Sequence, residues 1–389
     1  MEHASTVSGR YVKDSSSGET VRAFIPDPLP PDLKFSLEDY GLIGEANRAL
    51  GRLDAFYSVA ALPEGFADLL TYHSIRKEAV LSSQIEGTQS SFADLLLHED
   101  ERAPSVPLDD VEEVSSYVSA LNYGLKRLDG GFLLSLRLLR EIHSHLLAHG
   151  RGADKNPGEF RRSQVWLGGQ RPSQATFVPP PPAEVMACLD PFEHFLHDPS
   201  YPAVLKAGLA HVQFETIHPF LDGNGRLGRL LITLLFAVDG VLAEPVLYLS
   251  LYFKATRQTY YEHLQRVRTH GDWEGWLRYF LRGILEMSEQ ALATAQDALA
   301  LFEHDRATVS TFGRGAASAL EVYAMLQHHP ITTAPVATER LDLSAPTVRA
   351  ALQRLETAGI VEEVTGGDRG RLYVYTAYLN LLDDGTEPL

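Results

Sequence analysis

The stretch from residue 203 to residue 238 constrains the fold of this chain most strongly. Apolar residues recur at helical spacing over residues 203–215 and again over 226–238, and the run His218-Pro-Phe-Leu-Asp-Gly-Asn-Gly-Arg-Leu-Gly-Arg229 joins the two patterns. A proline and closely spaced glycines interrupt a continuous helix. The sequence therefore predicts two helices that meet at a tight loop, with the charged side chains of the loop gathered at the start of the second helix.

The residue types of this run suit the binding of a polyphosphate. Gly223 and Gly225 lack a Cβ atom, so the backbone can turn sharply and approach an anion closely, while Asn224 tolerates unusual dihedral angles and can donate from its side chain. Free N–H groups and the positive dipole end at a helix start favour anions. Arg226 and Arg229 are three positions apart and point to the same region.

Two further residues of the run could supply chemistry. Asp222 can hold Mg²⁺, the ion that normally accompanies phosphates. His218 is the one residue of the run that titrates near neutral pH, which makes it the candidate base. The alternative is an ordinary Asp-Gly-Asn-Gly turn that leads into a helix with solvated arginines.

The full pattern resembles a known family. His-Pro-Phe-x-Asp-Gly-Asn-Gly-Arg-x-x-Arg is the signature of the Fic-domain family, and this chain matches it at every defined position. Three nearby segments are similar to the family's substrate-holding flap: Gly158-Glu-Phe-Arg161, Val165-Trp-Leu-Gly168 and Ala175-Thr-Phe-Val-Pro-Pro180. We expect this flap, residues 158–180, to hold the target protein by strand addition, although an ordinary structural hairpin would give the same pattern.

The resemblance implies a protein adenylyltransferase. ATP would bind together with Mg²⁺ held by Asp222, and His218 would take the proton from a Tyr, Ser or Thr hydroxyl of a target protein or of the enzyme itself. AMP would be transferred, which is the reaction called AMPylation, and diphosphate would leave. The implied nucleotide-binding residues are Pro219, Phe220, Leu221, Asp222, Gly223, Asn224, Gly225, Arg226, Arg229 and Thr256, the last at a position where family members often carry Asn. Gln213, five residues before His218 on the preceding helix, is expected to approach the nucleotide, with an ordinary buried polar residue as the alternative.

A second carboxylate, Glu86, ends the helical pattern in Ser82-Ser-Gln-Ile-Glu86-Gly87. A carboxylate in the last helical turn faces the negative dipole end, which costs a few tenths to about 1 kcal/mol unless a cation compensates. Ser-x-x-x-Glu-Gly is similar to the inhibitory motif of one class of Fic proteins. The resemblance implies that Ser82 and Glu86 are regulatory and that Glu86 pairs with Arg229, so that ATP binds poorly. A solvated Glu86 is the alternative, and removal of AMP by the same site stays open.

The fold class we predict is mainly α, a Fic-type helical bundle with a β-hairpin flap and a C-terminal winged helix-turn-helix domain. The flap strands are expected at residues 165–167 and 175–178, and separate helices at 272–286 and 288–304. The predicted regions are an extended arm (1–38), an N-terminal helical region that carries the inhibitory helix (39–108), the catalytic core (109–305) and the winged-helix domain (316–389).

The C-terminal region leaves its partner open. Ser344 to Arg354 is similar to a recognition helix, and Arg349, Arg354, Arg369 and Arg371 could face DNA. However, residues 317–389 hold five arginines and no lysine against ten acidic residues. Because DNA-binding modules normally present a basic face, we place protein contact or dimer formation ahead of DNA binding. A transcriptional regulator with a nucleotide-sensing Fic core is the competing function, and transfer of another nucleotide or of a phosphoryl group is a third.

Composition sets broad limits. A net charge of −17 argues against general binding to nucleic acid or to anionic membranes. The longest apolar run, Leu230 to Val238, is too short to cross a bilayer, and the polar, Ser-rich start does not resemble a signal peptide. The lone Cys188 allows no internal disulfide, so we expect a cytoplasmic protein.

Overall fold

The computed structural model describes residues 8–58, 62–99, 108–366 and 370–389. Helices dominate this part of the chain, which confirms the mainly α fold class. The helices are α1 (Leu37–Ser58), α2 (Phe66–Ile85), α3 (Phe92–Glu99), α4 (Leu108–Asp129), α5 (Leu136–Leu146), α6 (Val185–Leu196), α7 (Ala203–Ile217), α8 (Asn224–Val238), α9 (Ser250–Ala255), α10 (Arg257–His270), α11 (Trp273–Ser310), α12 (Ala316–His328), α13 (Ala334–Arg340), α14 (Ala345–Thr357) and α15 (Thr376–Asp383). The strands are β1 (Gly9–Asp14), β2 (Val21–Pro26), β3 (Ile331–Thr333), β4 (Glu362–Glu363) and β5 (Leu372–Val374).

Helix α7 is the centre of the bundle. Every residue from Val204 to Ile217 is buried, including polar side chains such as Lys206, His211 and Glu215. Helices α6, α8, α10 and α11 all pack against it. The loop that follows α7 is thereby held on a fully enclosed helix, which is the rigid support that a catalytic loop needs.

The predicted extended arm contains a hairpin that the proline pattern did not indicate. Strands β1 and β2 pair antiparallel from Gly9↔Pro26 to Asp14↔Val21. The arm is fastened to the bundle through Ser8 Oγ, which donates to the Val267 carbonyl oxygen at 2.9 Å. Residues 27–36, which follow β2, belong to no helix or strand, in keeping with the helix-breaking effect of the prolines.

The flap is less regular than the predicted hairpin. Its two arms meet in a single antiparallel bridge, Leu167↔Phe177, and no strand forms at residues 165–167 or 175–178. Gly168 and Gly169 both have positive φ and make the turn. The N–H of Phe24 in β2 donates to the Val178 carbonyl at 2.9 Å, so the arm supports one edge of the flap.

The two helices predicted at 272–286 and 288–304 are wrong as separate elements, because α11 continues unbroken for 38 residues. Gly283, four positions before the proposed break, does not end the helix, and Ser288 at the break is fully buried. Helix α11 packs along α1, so tertiary contact on one face favours a continuous helix.

The C-terminal region contains the short helices α12, α13 and α14 and a three-stranded sheet in the order β3-β5-β4. Helix α15, which was not predicted, packs against α2, α3 and α11. Its buried residues Tyr378 and Leu382 join the same hydrophobic core as the bundle. The winged-helix assignment stays a prediction, and Arg369 lies outside the described residues. In the described part of the chain, no helix has the length and apolar character to cross a membrane.

Candidate active site

The loop after α7 turns on two residues with positive φ. His218 ends α7 at φ 49° and ψ 62°, a left-handed conformation that is uncommon for residues other than glycine. Gly223 precedes α8 at φ 75°. Asn224 closes the turn, because its side-chain oxygen accepts from Phe220 N at 2.9 Å and its amide donates to Phe220 O at 3.0 Å. The Asn224 side chain is therefore used inside the loop and, contrary to our expectation, does not donate toward a ligand.

His143 of α5 holds the other side of the loop. Its Nδ1 accepts from Gly158 N at 2.8 Å, so the ring proton is on Nε2, which donates to Asp222 O at 3.0 Å. The ring stacks on Phe220 with 3.8 Å between centroids. Burial, the largest cause, lowers the pKa of His143 to about 4, so the ring is neutral near pH 7. This residue joins the loop, the flap and the core.

His218 lies in a nearly closed environment, with 14% of its side chain exposed. Burial, followed by the charges of Arg268 and Arg161, lowers the pKa of His218 to about 3. The imidazole is therefore neutral near pH 7, the state in which it can accept a proton. Its Nδ1 is 3.9 Å from Oε2 of Glu215.

Arg161 links the flap to the base. Its Nε donates to the His218 carbonyl at 2.8 Å, and its Nη2 donates to the Pro180 carbonyl at 2.6 Å. Its backbone N–H also donates to the Pro219 carbonyl at 2.9 Å. One buried side chain thus fixes both ends of the flap segment relative to the catalytic loop.

Arg229 is bound to the end of helix α2. Its Nε donates to Ser82 Oγ at 2.8 Å, and its Nη2 donates to Ser82 O at 2.9 Å and to Glu86 Oε1 at 2.7 Å. The Arg229 side chain is 1% exposed, and that of Glu86 is 30% exposed. Burial alone would raise the pKa of Glu86, but Arg229 holds that pKa below its usual value. The structure brings together the two residues that the sequence placed 143 positions apart.

The Glu86 carboxylate lies at the start of helix α8. A Cβ atom on Gly225 would overlap Glu86 Oε1 and come within 3.2 Å of Arg229 Nη1. Gly225 therefore makes room for a carboxylate at the helix N-terminus, where the backbone N–H groups favour negative charge. This is the position that the sequence assigned to phosphate.

Arg226 is paired with a carboxylate that the sequence gave no reason to select. Its Nη1 lies 2.8 Å from Glu113 Oε1, and its side chain is 1% exposed. Arg151 Nη2 contacts the same oxygen at 3.3 Å, and Arg151 Nη1 donates to the Glu86 carbonyl at 3.1 Å. Burial, which outweighs both arginines, raises the pKa of Glu113.

Several predicted contacts lie apart from the open side of the loop. Gln213 is 3% exposed, and its amide donates to the Asp27 carbonyl at 2.9 Å, so it holds the arm on α7. The Thr256 hydroxyl is 2.7 Å from both Tyr252 O and Tyr279 Oη. Pro219 and Phe220 are buried, and Leu221 is partly buried. The burial of the Phe220 side chain indicates that it packs beneath the loop.

The Asp222 side chain is 34% exposed, with its Oδ1 3.6 Å from Arg226 Nη2. The same oxygen accepts from Gly223 N at 2.6 Å. Among the described residues, no group of three or more His, Cys, Asp or Glu side chains could enclose a metal. A single accessible carboxylate suits Mg²⁺, which keeps water and phosphate oxygens as its other ligands.

Comparison with known proteins identifies two domains. The profile of the Fic/DOC family N-terminal region matches residues 40–126, and that of the Fic/DOC family matches residues 133–236. Protein adenylyltransferase Fic from Drosophila virilis is 34% identical over 188 residues, which are 48% of this chain and 35% of that protein. The protein of the same name from Culex quinquefasciatus is 32% identical over 250 residues, 61% of this chain and 45% of that protein. The matched regions thus span less than half of these relatives.

Solved structures support the fold. A Fic family protein from Desulfovibrio desulfuricans G20 superposes with a TM-score of 0.57 at 20% identity, over 89% of this chain and 98% of that chain. Fic-1 from C. elegans superposes with a TM-score of 0.51 at 23% identity, over 67% of this chain and 73% of that chain. The first similarity extends well beyond the region that the family profiles cover.

Proposed function

Because this chain carries the N-terminal and central domains of the Fic/DOC family, we propose that it is a protein adenylyltransferase that its own helix α2 inhibits. The observation that carries the proposal is the capture of Arg229 by Glu86 and Ser82 beside Gly225. A carboxylate in that place occupies the anion site at the start of α8 and withholds the arginine from a γ-phosphate. ATP would then bind poorly until the Glu86–Arg229 pair opens.

The proposed chemistry uses the neutral base at the end of α7. His218 accepts the proton of a Tyr, Ser or Thr hydroxyl, and the hydroxyl oxygen forms a bond to the α-phosphorus of ATP. The bond from that phosphorus to the β-bridging oxygen breaks, and diphosphate leaves. Asp222 would hold Mg²⁺, which neutralises phosphate charge when bound. N–H groups at the start of α8 face the same region and favour the developing negative charge.

The target segment is proposed to pair with the flap along residues 165–167. The opposite edge, at residues 176–178, already receives hydrogen bonds from Phe24 N and from Gln265 Nε2. Strand addition uses backbone hydrogen bonds, so it would place a hydroxyl of the target near His218 with little dependence on the target sequence.

The proposal also includes self-modification, formation of a homodimer and a cytoplasmic location. DNA contact by residues 316–389 is the weaker alternative to protein contact by that region.

The test uses labelled ATP with Mg²⁺ and the purified protein. Replacing Glu86→Gly should raise transfer of α-phosphate label into protein by roughly 10-fold or more, because the buried arginine is released. Replacing His218→Ala in the released variant should abolish transfer. Glu64→Gly, an exposed carboxylate before α2, is the matched control and should leave the rate unchanged.

The position of the label separates the alternatives. Transfer of γ-phosphate label in place of α-phosphate label would show phosphoryl transfer and reject the AMP assignment. Incorporation that survives His218→Ala would contradict the role of the base. No incorporation by the Glu86→Gly variant would favour a regulator whose Fic core only senses nucleotide. Mass spectrometry of the product would give the added mass and the modified residue.

A further inference from the structure

Glu215, in the last turn of α7, is a buried carboxyl group that the proposed mechanism does not yet use. It is 6% exposed, and its Oε1 makes no hydrogen bond to any described residue. Its Oε2 lies 3.9 Å from His218 Nδ1, an atom that likewise makes no hydrogen bond within the described ranges. Two unsatisfied buried polar groups that face each other are unusual in a folded protein.

The carboxyl lacks a dedicated cation. Arg268 donates to the Glu215 backbone carbonyl at 3.1 Å and to Thr216 Oγ1 at 3.3 Å, and no hydrogen bond from it to the carboxyl forms. Burial, the largest cause, raises the pKa of Glu215 to about 7, against the opposing charge of Arg229. The charged or titratable groups of the surrounding elements are Glu86 on α2, Arg229 on α8, Tyr260 and Arg268 on α10, and Arg161 in the flap.

Local packing gives the carboxyl its place. A Cβ atom on Gly228 would lie 2.8 Å from Glu215 Oε1, so the glycine in α8 makes room for it. The Glu215 backbone carbonyl also faces His218 and raises the pKa of the imidazole, although burial and Arg268 outweigh it. Glu215 therefore lies between the base and the arginine that Glu86 holds.

We propose that Glu215 is a positioning residue that orients the His218 ring and stabilises its protonated form. The inference rests on the proposed function. When His218 Nε2 takes the hydroxyl proton, the oxygen bonds to the α-phosphorus and diphosphate departs with the electron pair of the broken P–O bond. The imidazolium then carries one positive charge, and the Glu215 carboxylate, 3.9 Å from Nδ1, lies close enough to stabilise that charge. A closure of roughly 1 Å would complete a charge-assisted hydrogen bond.

This role has a pH signature. Only the ionised carboxylate stabilises the imidazolium, so the rate of AMP transfer should rise as the pH increases through about 7, the pKa of Glu215. Glutamine has the same shape and can accept one hydrogen bond, but it has no charge and does not titrate. A purely structural Glu215 would not produce this difference in pH dependence.

The experiment compares Glu86→Gly with Glu86→Gly/Glu215→Gln, using ATP labelled at the α-phosphate. We expect kcat to fall by roughly 10- to 100-fold, a partial loss of base catalysis. The KM for ATP should change little, and the rise in rate around pH 7 should disappear. Glu78→Gln is the matched control, since Glu78 is buried with a pKa also raised to about 7 but contacts Ser250.

Two results would overturn the inference. One is an unchanged kcat and pH profile; the other is a lower kcat with an unchanged pH profile in a variant that also melts at a lower temperature.

Nitrogen-15 NMR of the His218 ring provides a readout that does not depend on turnover. The proton should be on Nδ1 in the parent, and that preference should weaken in the Gln variant, because a neutral amide oxygen is a poorer acceptor than a carboxylate. An unchanged ring spectrum would also reject the pair. If Glu86→Gly itself transfers no AMP, the proposed function fails, while the ring spectrum still decides the role of Glu215.

Discussion

Arg229 donates to Ser82 and Glu86, and each of these hydrogen bonds ends on helix α2. Its guanidinium is protonated at any ordinary pH, and the Glu86 charge raises its pKa further, although burial opposes this. Because the pKa of Glu86 is lowered, the pair gains stability above the usual pKa of a glutamate and loses it only as the pH falls below that range. The resting contact should therefore be insensitive to pH between 6 and 8.

Ser82→Ala tests the second part of this contact. The substitution removes the acceptor for Arg229 Nε but leaves the Ser82 carbonyl and Glu86 in place. A hydrogen bond to a charged group contributes about 1.5–3 kcal/mol, and part of that should be recovered by solvent. We expect AMP transfer to rise by roughly 3- to 10-fold, less than in Glu86→Gly. A rate equal to that of the unmodified protein would show that the Ser82 hydroxyl does not contribute to holding Arg229.

At the scale of elements, the loop between α7 and α8 is fixed by segments that do not carry the motif. Helix α5 contributes His143, α4 contributes Glu113, and the flap contributes Arg161. Each of these side chains bonds to the backbone or to an arginine of the loop region. The glycines and the asparagine let the loop turn, but its final position comes from these neighbours.

His143→Phe separates packing from hydrogen bonding at this junction. The new ring can keep the stack on Phe220, but Gly158 N–H and Asp222 C=O lose their partner. An unsatisfied buried group costs about 1–3 kcal/mol, so thermal unfolding should shift to lower temperature. In the Glu86→Gly background, we expect the KM for ATP to rise because the loop loosens. An equal KM for ATP in Glu86→Gly and in Glu86→Gly/His143→Phe would show that the loop keeps its shape without His143.

At the scale of the whole molecule, the C-terminal residues reach helix α2, which carries Glu86 at its end. Gln84, two positions before Glu86, donates to the Thr386 carbonyl at 2.6 Å and to the Ser90 carbonyl at 2.9 Å. Lys254 of α9 donates to the carbonyls of Gly385 and Glu387. Residues 385–387 therefore help to hold the end of α2, which links the C-terminal region to the Glu86–Arg229 contact.

Lys254→Met should weaken that link. Methionine fills a similar volume but cannot donate to the two carbonyls, so residues 385–387 should detach more readily. We expect basal AMP transfer to rise by a few-fold, measured with α-labelled ATP. Lys206→Met is the control: Lys206 is equally buried and paired with Asp239, and it contacts no residue of α2 in the described contacts. A similar rise of basal AMP transfer in Lys254→Met and Lys206→Met would show that the effect comes from a general loss of packing and not from the contact with residues 385–387.

The sequence alone determined the helical class, the turn at Gly223, the candidate base His218 and the candidate pair Glu86 and Arg229. These follow from local chemistry or from a contiguous motif, so they need no knowledge of distant contacts. The hairpin in the arm, the continuous α11 and the irregular flap depended on packing against other elements, which overrides local preference.

The tertiary structure decided which polar groups meet. Glu113, His143 and Arg161 lie far from the motif in sequence, and their spacing along the chain carries no sign that they converge on it. Glu215 is one helical turn before His218, so its spacing predicts proximity, but only the fold shows that its carboxyl is buried without a hydrogen-bonded cation. Gln213 and Thr256, which were expected to contact the nucleotide, form hydrogen bonds inside the protein instead. A buried polar group bonds to whichever neighbour the fold provides. The motif supplies the chemical groups, and the folded bundle determines their orientation and which of them are free.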